Sequence, residues 1–249
     1  MAELDGRVAL VTGAGRNIGR AIALDLAQAG AAVVVNARSN QAEADGVVKE
    51  IIDAGGKAIA HLADVTDAAA VQRMVAAATS RFGRLDILVN NAALRAEIPF
   101  AELDYATWRA VLGVCLDGAF HCTKAAHAAL KGAGGTGAIV NIGGVSAHTG
   151  ASDRAHVLTA KLGLVGFTRA LAHDLAPDGI TANCVVPGQI DTARAGGRAP
   201  SHHATHKPLV GRRGRPDEIA SAVRWLVGPQ GRYVTGQAIH VNGGMYHGV

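Results

Sequence analysis

The chain has 249 residues, of which 49% are hydrophobic and 4% aromatic, and its formal net charge is +4. The basic excess is dispersed, with no run of five like charges, so we expect no nucleic-acid partner. No stretch approaches 18 consecutive apolar residues and no signal-peptide pattern is visible, so we expect a cytoplasmic protein with no membrane contact. Three cysteines without metal or redox spacing fit a reducing compartment.

Short apolar runs rich in β-branched residues alternate with longer helical segments along the chain. The predicted strands are Val8–Val11, Ala32–Val35, Ala58–Leu62, Leu85–Val89, Ala138–Ile142, Ile180–Val185 and Ala238–Val241. The predicted helices lie near 16–29, 41–54, 68–82, 103–130, 153–176 and 216–227. This alternation predicts an α/β fold with a doubly wound parallel sheet that is covered by helices on both faces.

Local signals mark the start of three of these helices. Asp67 precedes Ala68-Ala69-Ala70, and Asp104 precedes the segment that contains Trp108. An aspartate in this position caps the free N–H groups of a first helical turn. Pro216 suits the first position of the last helix, where no N–H donor is needed.

A glycine-rich turn connects the first predicted strand to the first predicted helix. Gly13, Gly15 and Gly19 follow the apolar run Val8–Val11. Glycine lets the backbone close tightly and approach a ligand, and a helix N-terminus presents unpaired N–H groups to a phosphate. We interpret the turn as a nucleotide cofactor site. The alternative is a strand–turn–helix that uses glycine for packing alone.

The end of the second predicted strand indicates which nicotinamide cofactor binds. An acidic residue about 20 residues beyond the glycine turn ordinarily binds the ribose 2′-OH. Here no carboxylate occurs before Glu43, and Arg38 stands where it can pair with a 2′-phosphate. Arg16, inside the turn, is a second candidate, since guanidinium offers bidentate donors. We predict NADP(H) rather than NAD(H); otherwise both arginines are solvated surface residues.

Several ordered motifs together resemble the short-chain dehydrogenase/reductase family over nearly the whole chain. The segment Thr12–Gly19 resembles the family's T-G-x-x-x-G-x-G turn, although Asn17 occupies the middle glycine position. Asparagine tolerates a left-handed backbone better than most residues, so we expect the turn to keep its function. The other matching segments are Asp64-Val65-Thr66, Asn90-Asn91-Ala92-Ala93, Val186-Pro187-Gly188 with Ile190 and Thr192, Thr235-Gly236-Gln237, and Val241-Asn242-Gly243-Gly244.

The resemblance implies a seven-stranded, Rossmann-like, three-layer α/β/α architecture in a single NADP(H)-binding domain over residues 1–249. It also implies a flexible substrate lid near 189–215 and a homo-oligomer, a tetramer or a dimer. The activity it implies is that of an oxidoreductase similar to 3-oxoacyl-carrier-protein reductase. The implied cofactor contacts are Gly13, Gly15, Arg16, Asn17, Ile18, Gly19, Arg38, Asp64, Val65, Asn91, Ala92, Lys161, Pro187, Gly188, Ile190 and Thr192.

The catalytic positions of the family are mostly occupied by other residues. By the resemblance, Lys161 is the lysine that binds the nicotinamide ribose and lowers the tyrosine pKa. The tyrosine lies four residues earlier, one helical turn away, and that position holds Val157. The serine position holds Gly144, and the asparagine position on the long fourth helix holds Cys115. A positioned general acid contributes roughly 10²- to 10⁴-fold in rate, so ordinary carbonyl reduction should suffer.

Two explanations compete for these departures. In one, the protein is an oxidoreductase with a non-standard proton donor, for which His156, Ser146 and His148 are candidates, followed by Cys115 and Asp117. In the other, it binds NADP(H) without fast turnover and has a structural or regulatory role.

Hydride addition to a conjugated C=C bond is a route that needs no tyrosine, because water then protonates the enolate carbon. A branch of the family that reduces dienoyl-CoA looks similar, with histidine five residues before the lysine. The substrate we expect is therefore a small molecule or an acyl thioester.

The segment from Ala193 to Arg215 has little apolar periodicity and many basic residues. Its arginines either meet the phosphate of a CoA or acyl-carrier group or form a solvated basic rim; they are Arg194, Arg198, Arg212, Arg213 and Arg215. His202, His203 and His206 lie close together, but a histidine run in a loop more often only faces solvent, and we predict no metal site.

Overall fold

A seven-stranded parallel sheet forms the centre of the computed structural model, which describes residues 2–192 and 207–248. The strands are β1 (Val8–Val11), β2 (Ala32–Ala37), β3 (Lys57–Leu62), β4 (Ile87–Asn90), β5 (Ala138–Ile142), β6 (Thr181–Pro187) and β7 (Ala238–Val241). Their order is β3-β2-β1-β4-β5-β6-β7, and each neighbouring pair is parallel. The predicted doubly wound, Rossmann-like sheet is confirmed.

Helices cover both faces of this sheet. They are α1 (Asn17–Gln28), α2 (Gln41–Asp53), α3 (Ala68–Phe82), α4 (Tyr105–Leu112), α5 (Gly118–Lys131), α6 (Ser146–Thr149), α7 (Ala155–Leu175) and α8 (Pro216–Val227). Buried side chains of α1, α2 and α8 share one core with the sheet. Those of α3, α5 and α7 share the core on the opposite face. Successive residues of β1 serve the two cores in turn, as the period of a strand requires.

The predicted helix starts are confirmed at all three positions. The Asp67 carboxylate accepts hydrogen bonds from the N–H groups of Ala69 and Ala70, and Asp104 accepts one from Thr107. These backbone hydrogen bonds lower the pKa of both carboxyl groups. Pro216 occupies the first position of α8.

The prediction of one continuous helix near 103–130 is wrong, because the segment forms two α-helices. A π-helical turn, Gly113–Asp117, separates α4 from α5. At Gly118 a Cβ atom would lie 2.6 Å from the Cγ2 atom of Val65, so α5 approaches the loop after β3 as only glycine permits. The wider π turn includes Cys115, the residue at the family's asparagine position by the resemblance. Single π turns inside helices are frequent at functional sites.

A chain of buried amides and hydroxyls fixes the helices against the middle of the sheet. The side-chain amide of Asn90 donates to Thr123 Oγ1 and to Asn141 Oδ1 at 2.8 Å. Asn141 in turn donates to Thr168 Oγ1 at 2.9 Å. These contacts join α5, β4, β5 and α7, so the two helices are held at a defined height relative to the strand ends.

Within residues 2–192 and 207–248, no helix has both the length and the apolar character needed to span a bilayer. The same ranges contain no group of three His, Cys, Asp or Glu side chains suited to hold a metal ion. His202, His203 and His206 lie outside the described residues, as do Arg194 and Arg198. A single domain with a flexible lid stays a prediction.

Candidate active site

A pocket of about 90 Å³ opens at the carboxyl ends of β4, β5 and β6, beside the start of α1. Ligands of doubly wound sheets bind at this edge, where the strand order reverses between β1 and β4. The pocket is lined by Ile18, Asn91, Arg95, Ile142, Gly143, Gly144, Val145, Ser146, Thr149, Arg154, Val157, Lys161, Pro187, Gly188, Gln189, Ile190, Thr192 and Met245. Seven predicted cofactor residues are therefore brought together: Ile18, Asn91, Lys161, Pro187, Gly188, Ile190 and Thr192.

The glycine turn has the backbone that its sequence predicts. Gly13 and Asn17 have positive φ angles of 61° and 52°, so Asn17 takes the left-handed conformation expected of the glycine it replaces. At Gly19 a Cβ atom would lie 2.3 Å from the carbonyl oxygen of Gly13. The absence of a side chain there lets α1 begin directly against the turn. The N–H groups of the first turn of α1 receive no side-chain cap from Arg16, the residue that precedes the helix, because a guanidinium has no acceptor.

Polar side chains from two neighbouring strands hold this turn in place. The Asn91 amide donates to the carbonyl oxygens of Thr12 and Gly13 at 2.9 and 3.0 Å. The Thr12 hydroxyl accepts hydrogen bonds from the N–H groups of Asn91 and Ala92. Asn36, buried at the end of β2, accepts from the Gly13 N–H at 3.2 Å. Asn36 is not among the predicted site residues, although a polar residue at the end of an apolar strand is a visible signal.

Arg16 and Arg38 are both exposed at the edge of the sheet beyond β1 and β2. This placement suits two guanidinium groups that receive a phosphate from solvent. Glu43 lies against the turn, since a Cβ atom at Gly15 would meet its Cβ at 3.0 Å.

The loop after β3 carries Asp64 and Val65, which are predicted to lie against the adenine. Asp64 accepts hydrogen bonds from the N–H and hydroxyl of Thr66 at 2.9 and 2.8 Å, which fixes the loop as it leaves the strand. Val65 is buried against Gly118 at the start of α5.

The segment after β6 forms the opposite wall. At Gly188 a Cβ atom would lie 2.6 Å from the Cα of Asn242, so glycine allows this segment to lie against the end of β7. The Pro187 carbonyl oxygen accepts a hydrogen bond from the Val145 N–H at 2.9 Å, which ties it to the loop after β5.

Lys161 is the only lysine that lines the pocket within the described residues. Its side chain is buried, and its Nζ donates to the carbonyl oxygen of Ile142 at 2.5 Å. Burial lowers the pKa of Lys161, and the charges of Arg95 and Arg154 lower it further. An ammonium in such surroundings releases a proton more readily than a solvated lysine does.

Gly144 and Val157 line the same pocket as Lys161. A Cβ atom at Gly144 would meet nothing closer than Lys161 Cγ at 3.9 Å, so this position has room for the Cβ atom of a larger residue. Val157 packs in a small apolar cluster with Cys115, whose thiol lies 3.7 Å from the carbonyl oxygen of Leu94.

The predicted substitute proton donors are not all at the pocket. Ser146 lines it, whereas His156 and His148 are not among the lining residues. His156 is fully buried, and neither of its ring nitrogens has a hydrogen-bond partner in the described part of the chain. The ring of His148 packs against those of His240 and Tyr246, with centroids 4.6 and 5.2 Å away. Burial lowers the pKa of both His156 and His148, so both are neutral near pH 7.

Three of the five lid arginines form ion pairs on the protein surface. Arg212 binds both carboxylate oxygens of Glu218, at 2.6 and 2.8 Å. Hydrogen bonds from Arg212 and from the Arg215 N–H lower the pKa of Glu218 to about 2. Arg215 pairs with Asp217, and Arg213 lies 3.9 Å from Asp191. These pairs favour the solvated basic rim over a phosphate site for the described part of the segment.

Arg95 and Arg154 are pocket residues that sequence reasoning missed. Arg154 directly precedes α7 and lies three residues before Val157 and seven before Lys161, a spacing that corresponds to one side of the helical pattern predicted over 153–176. That spacing was visible in the sequence. Arg95 gave no signal, because it lies in an irregular loop after β4.

Known proteins resemble this chain along its whole described length. A family model described as enoyl-(acyl carrier protein) reductase matches residues 13–246. The 3-oxoacyl-[acyl-carrier-protein] reductase of Synechocystis is 40% identical, over 98% of this chain and 99% of that protein. A dehydrogenase/reductase from Sinorhizobium meliloti superposes with a TM-score of 0.93 at 37% identity, over 98% of this chain and 97% of that one. A short-chain dehydrogenase from Burkholderia cenocepacia, in complex with NADP, gives 0.91 at 35% identity, over 98% and 99%.

The chain belongs to the short-chain dehydrogenase/reductase family. The relatives named above are oxidoreductases by description, and the fold and the position of the pocket agree with that class.

The contact between Gly19 and the glycine turn generates a first prediction. Replacing Gly19 with alanine should lower the free energy of unfolding by about 1–3 kcal/mol, because the new methyl group meets a backbone oxygen that cannot move freely. It should also weaken NADPH binding. Urea unfolding and fluorescence titration measure the two effects. Gly46→Ala in α2 is the control, since nothing lies within 4 Å of its Cβ position and alanine there should stabilise the helix. Equal behaviour of the two variants would contradict the packing argument.

The buried His156 generates a prediction about pH. Its pKa in the folded state is lower than the ordinary value of 6.5, so the unfolded chain binds the proton more readily. The free energy of unfolding should therefore fall as the pH drops below 6.5, and His156→Leu should make this fall shallower. Urea unfolding between pH 5 and 7.5 checks it. His247→Leu, at an exposed position, should leave the slope unchanged; a His156→Leu slope equal to wild type would refute the prediction.

Proposed function

We propose that this chain is an NADP(H)-dependent oxidoreductase that reduces a carbonyl or conjugated C=C group without the family's tyrosine and serine. The observation that carries the proposal is one pocket that contains Lys161 and the cofactor-side residues, with Gly144 and Val157 on the same wall.

The described residues fit a dinucleotide phosphate. Gly13 and Asn17 have the left-handed backbone of a phosphate-binding turn, and α1 begins directly behind it. Arg16 and Arg38 are exposed beside the ribose end of the site, as a 2′-phosphate requires. NADPH, when bound, supplies a hydride to the substrate. The NADP complex of the Burkholderia cenocepacia relative supports the same cofactor here.

We propose that Lys161, or water beside Ser146, supplies the proton that accompanies hydride transfer. Lys161 keeps its ammonium inside the pocket through the Ile142 carbonyl oxygen, and its lowered pKa makes it a stronger acid than a free lysine. Ser146 lines the same pocket and its hydroxyl can both donate and accept a hydrogen bond. His156 is buried and does not line the pocket, so we do not assign it this role.

Reduction of a conjugated C=C substrate requires the fewest catalytic groups from this pocket. Hydride addition to an enoyl group conjugated with a carbonyl gives an enolate, whose oxygen needs a positive neighbour and whose carbon takes its proton from water. Lys161 supplies the positive neighbour. A ketone requires a proton at oxygen as the hydride arrives, which a lysine or water gives less readily than a placed tyrosine. Small molecules and acyl thioesters both fit this scheme.

A non-catalytic cofactor-binding protein is the second candidate. Gly144 and Val157 favour it, since neither side chain can donate a proton or a hydrogen bond to a carbonyl oxygen.

A homo-oligomer also stays a prediction. Phe120 on α5 and Leu162 on α7 are 51% and 48% exposed, an apolar surface that supports association of these two helices with another copy. The cytoplasmic location stays a prediction too.

The assignment of NADP(H) is tested at Arg38. Arg38→Ala should weaken NADPH binding by about 10- to 100-fold and leave NADH binding nearly unchanged, because only NADPH carries the 2′-phosphate. Fluorescence titration with both cofactors measures the ratio. Arg73→Ala, on α3, is the control and should change neither affinity. Equal losses for both cofactors at Arg38 would exclude the 2′-phosphate contact.

Turnover is tested with NADPH and a panel of ketones, 3-oxoacyl thioesters and enoyl thioesters, followed at the nicotinamide absorbance. We expect oxidation of NADPH by at least one class, and Lys161→Met should reduce its rate by roughly 10²-fold or more. If the lysine is the acid, kcat/KM should fall as the pH rises through its pKa, below the ordinary 10.5. Tight NADPH binding without turnover across the panel would support the non-catalytic candidate.

Restoring the family's residues provides the matched variant. Gly144→Ser with Val157→Tyr should raise ketone reduction above the wild-type rate, because the serine fits beside Lys161 and the tyrosine lies one turn from it. Enoyl reduction should change little. A double variant that binds NADPH but reduces no ketone would show that the pocket does not position a carbonyl substrate.

A further inference from the structure

Three aromatic rings meet beside the pocket, and the proposed chemistry uses none of them. His148 lies on α6, His240 lies on β7, and Tyr246 lies in the segment after β7. The ring centroids are 4.6 Å apart for the two histidines, 5.2 Å for His148 and Tyr246, and 4.9 Å for His240 and Tyr246. Each ring contacts the other two, so this ring cluster joins α6 to the edge strand of the sheet and to the segment after it.

Both histidines of the ring cluster have an unpaired nitrogen in a buried place. His148 Nε2 and His240 Nδ1 have no hydrogen-bond partner among the described residues. Most buried polar atoms in proteins are paired, so two unpaired nitrogens on contacting rings require a physical explanation. A neutral imidazole tolerates such surroundings better than a charged one, because a buried charge needs a partner more strongly.

The segments packed against the ring cluster bring it no carboxylate. Within the described residues, the only charge that acts on His148 is that of Arg169 on α7, and the only one that acts on His240 is that of His148. The neighbouring strand β6 contributes the Cys184 thiol, whose pKa burial raises to about 11, so the thiol is uncharged near pH 7. A proton on either imidazole therefore has no anion beside it.

These surroundings make the two imidazoles poor bases. Burial lowers the pKa of His148, and the charge of Arg169 lowers it further. Burial also lowers the pKa of His240, and a charge on His148 adds to this effect. Both rings are neutral near pH 7. As the pH falls below the lowered values, one imidazole becomes a cation in contact with the other, and the neutral packing of the ring cluster is lost.

The ring cluster supports two parts of the pocket wall. Ser146 and Thr149, the first and last residues of α6, line the pocket, and so does Met245, which precedes Tyr246. Met245 and Tyr246 pack in one small apolar cluster with the loop after β5. A helix of four residues is too short to be stable by itself, so α6 keeps its place through contacts such as those of His148.

We propose that the ring cluster is a proton-sensitive support of the pocket wall. While His148 and His240 are neutral, their contacts hold α6 and the segment after β7 together. Proton uptake by either histidine separates them, so that Ser146 and Met245 leave their places at the pocket. Both histidines are positioning residues, because neither is among the described lining residues. The inference goes beyond the proposed function, and it holds for a cofactor-binding protein as well as for an enzyme.

Amide hydrogen exchange of the full chain at pH 7.5 and pH 5.5 tests this support directly. After correction for the intrinsic exchange rates, protection of residues 145–150 and 238–248 should fall about 10-fold or more at pH 5.5, since each pH unit below a pKa changes proton binding tenfold. Protection of α3, on a distant part of the sheet, should stay unchanged. The variant His148→Phe with His240→Phe keeps aromatic rings that take up no proton, so protection of its two segments should not depend on pH.

His173→Phe, at an exposed position of α7, is the control and should respond to pH as the wild type does. If the double variant does not fold, the single variants His148→Phe and His240→Phe replace it, and each should lose less protection than the wild type. An equal loss in the wild type and the double variant would overturn the inference. So would constant or increased protection of the wild type at pH 5.5, or a loss that extends equally to α3.

The connection to the pocket is tested by calorimetric titration with NADP⁺ at the same two pH values. Between pH 7.5 and pH 5.5, the dissociation constant of the wild type should rise about 5-fold or more beyond that of the double variant. The phosphate of NADP⁺ titrates alike in both experiments, so the comparison cancels its effect. Equal rises would overturn the inference, because the ring cluster would then not reach the pocket. Neither measurement needs turnover, so a protein that oxidises no NADPH would fail the proposed activity and leave this test intact.

Discussion

The hydrogen bonds from the Asn91 amide to the carbonyl oxygens of Thr12 and Gly13 fix the conformation of the glycine turn, and the geometry of the pocket follows from that conformation. They join the ends of β1 and β4, the two strands between which the sheet reverses its order. A glycine turn left to itself has many conformations, and ordering each residue costs roughly 1–2 kcal/mol. The side-chain amide removes that freedom before a cofactor arrives, so binding energy is not spent on ordering the turn.

The same contact explains why the neighbouring positions tolerate so little change. Asn91 Nδ2 lies 2.5 Å from where a Cβ atom of Gly19 would be, so the amide and the helix start compete for one space. Because glycine has no Cβ atom, position 19 leaves room for the Asn91 amide. On the other side of the turn, the buried Asn36 accepts a hydrogen bond from the Gly13 N–H. The chain Asn90–Asn141–Thr168 then fixes α7 relative to the same strand ends. Lys161 is on α7, so its place in the pocket follows from these buried polar contacts.

The sequence predicts what local chemistry decides, and this covers most of the fold. The caps at Asp67 and Asp104, and the left-handed Asn17, depend on a few neighbouring residues and are confirmed. The π turn at Gly113–Asp117 depends on how closely α5 approaches Val65, a contact between segments about 50 residues apart that no local pattern records. Asp153 has a left-handed φ of 61°, and its carbonyl oxygen accepts a hydrogen bond from the Ile98 N–H, a contact between distant segments that no local pattern records.

By the resemblance, Gly144 and Val157 stand where the family has its serine and tyrosine, and we propose that the chemistry differs while the surrounding frame is kept. In the family, the ammonium of the lysine lowers the pKa of the tyrosine phenol. Without a tyrosine, the lysine has no phenol whose pKa it could lower. Lys161 nevertheless stays buried, at the cost of desolvation, and hydrogen-bonded to Ile142. Arg154 and Arg95 raise that electrostatic cost further, as the lowered pKa of Lys161 records. A pocket that keeps a buried lysine and no described acidic residue is suited to stabilise a developing anion such as an enolate oxygen beside Lys161.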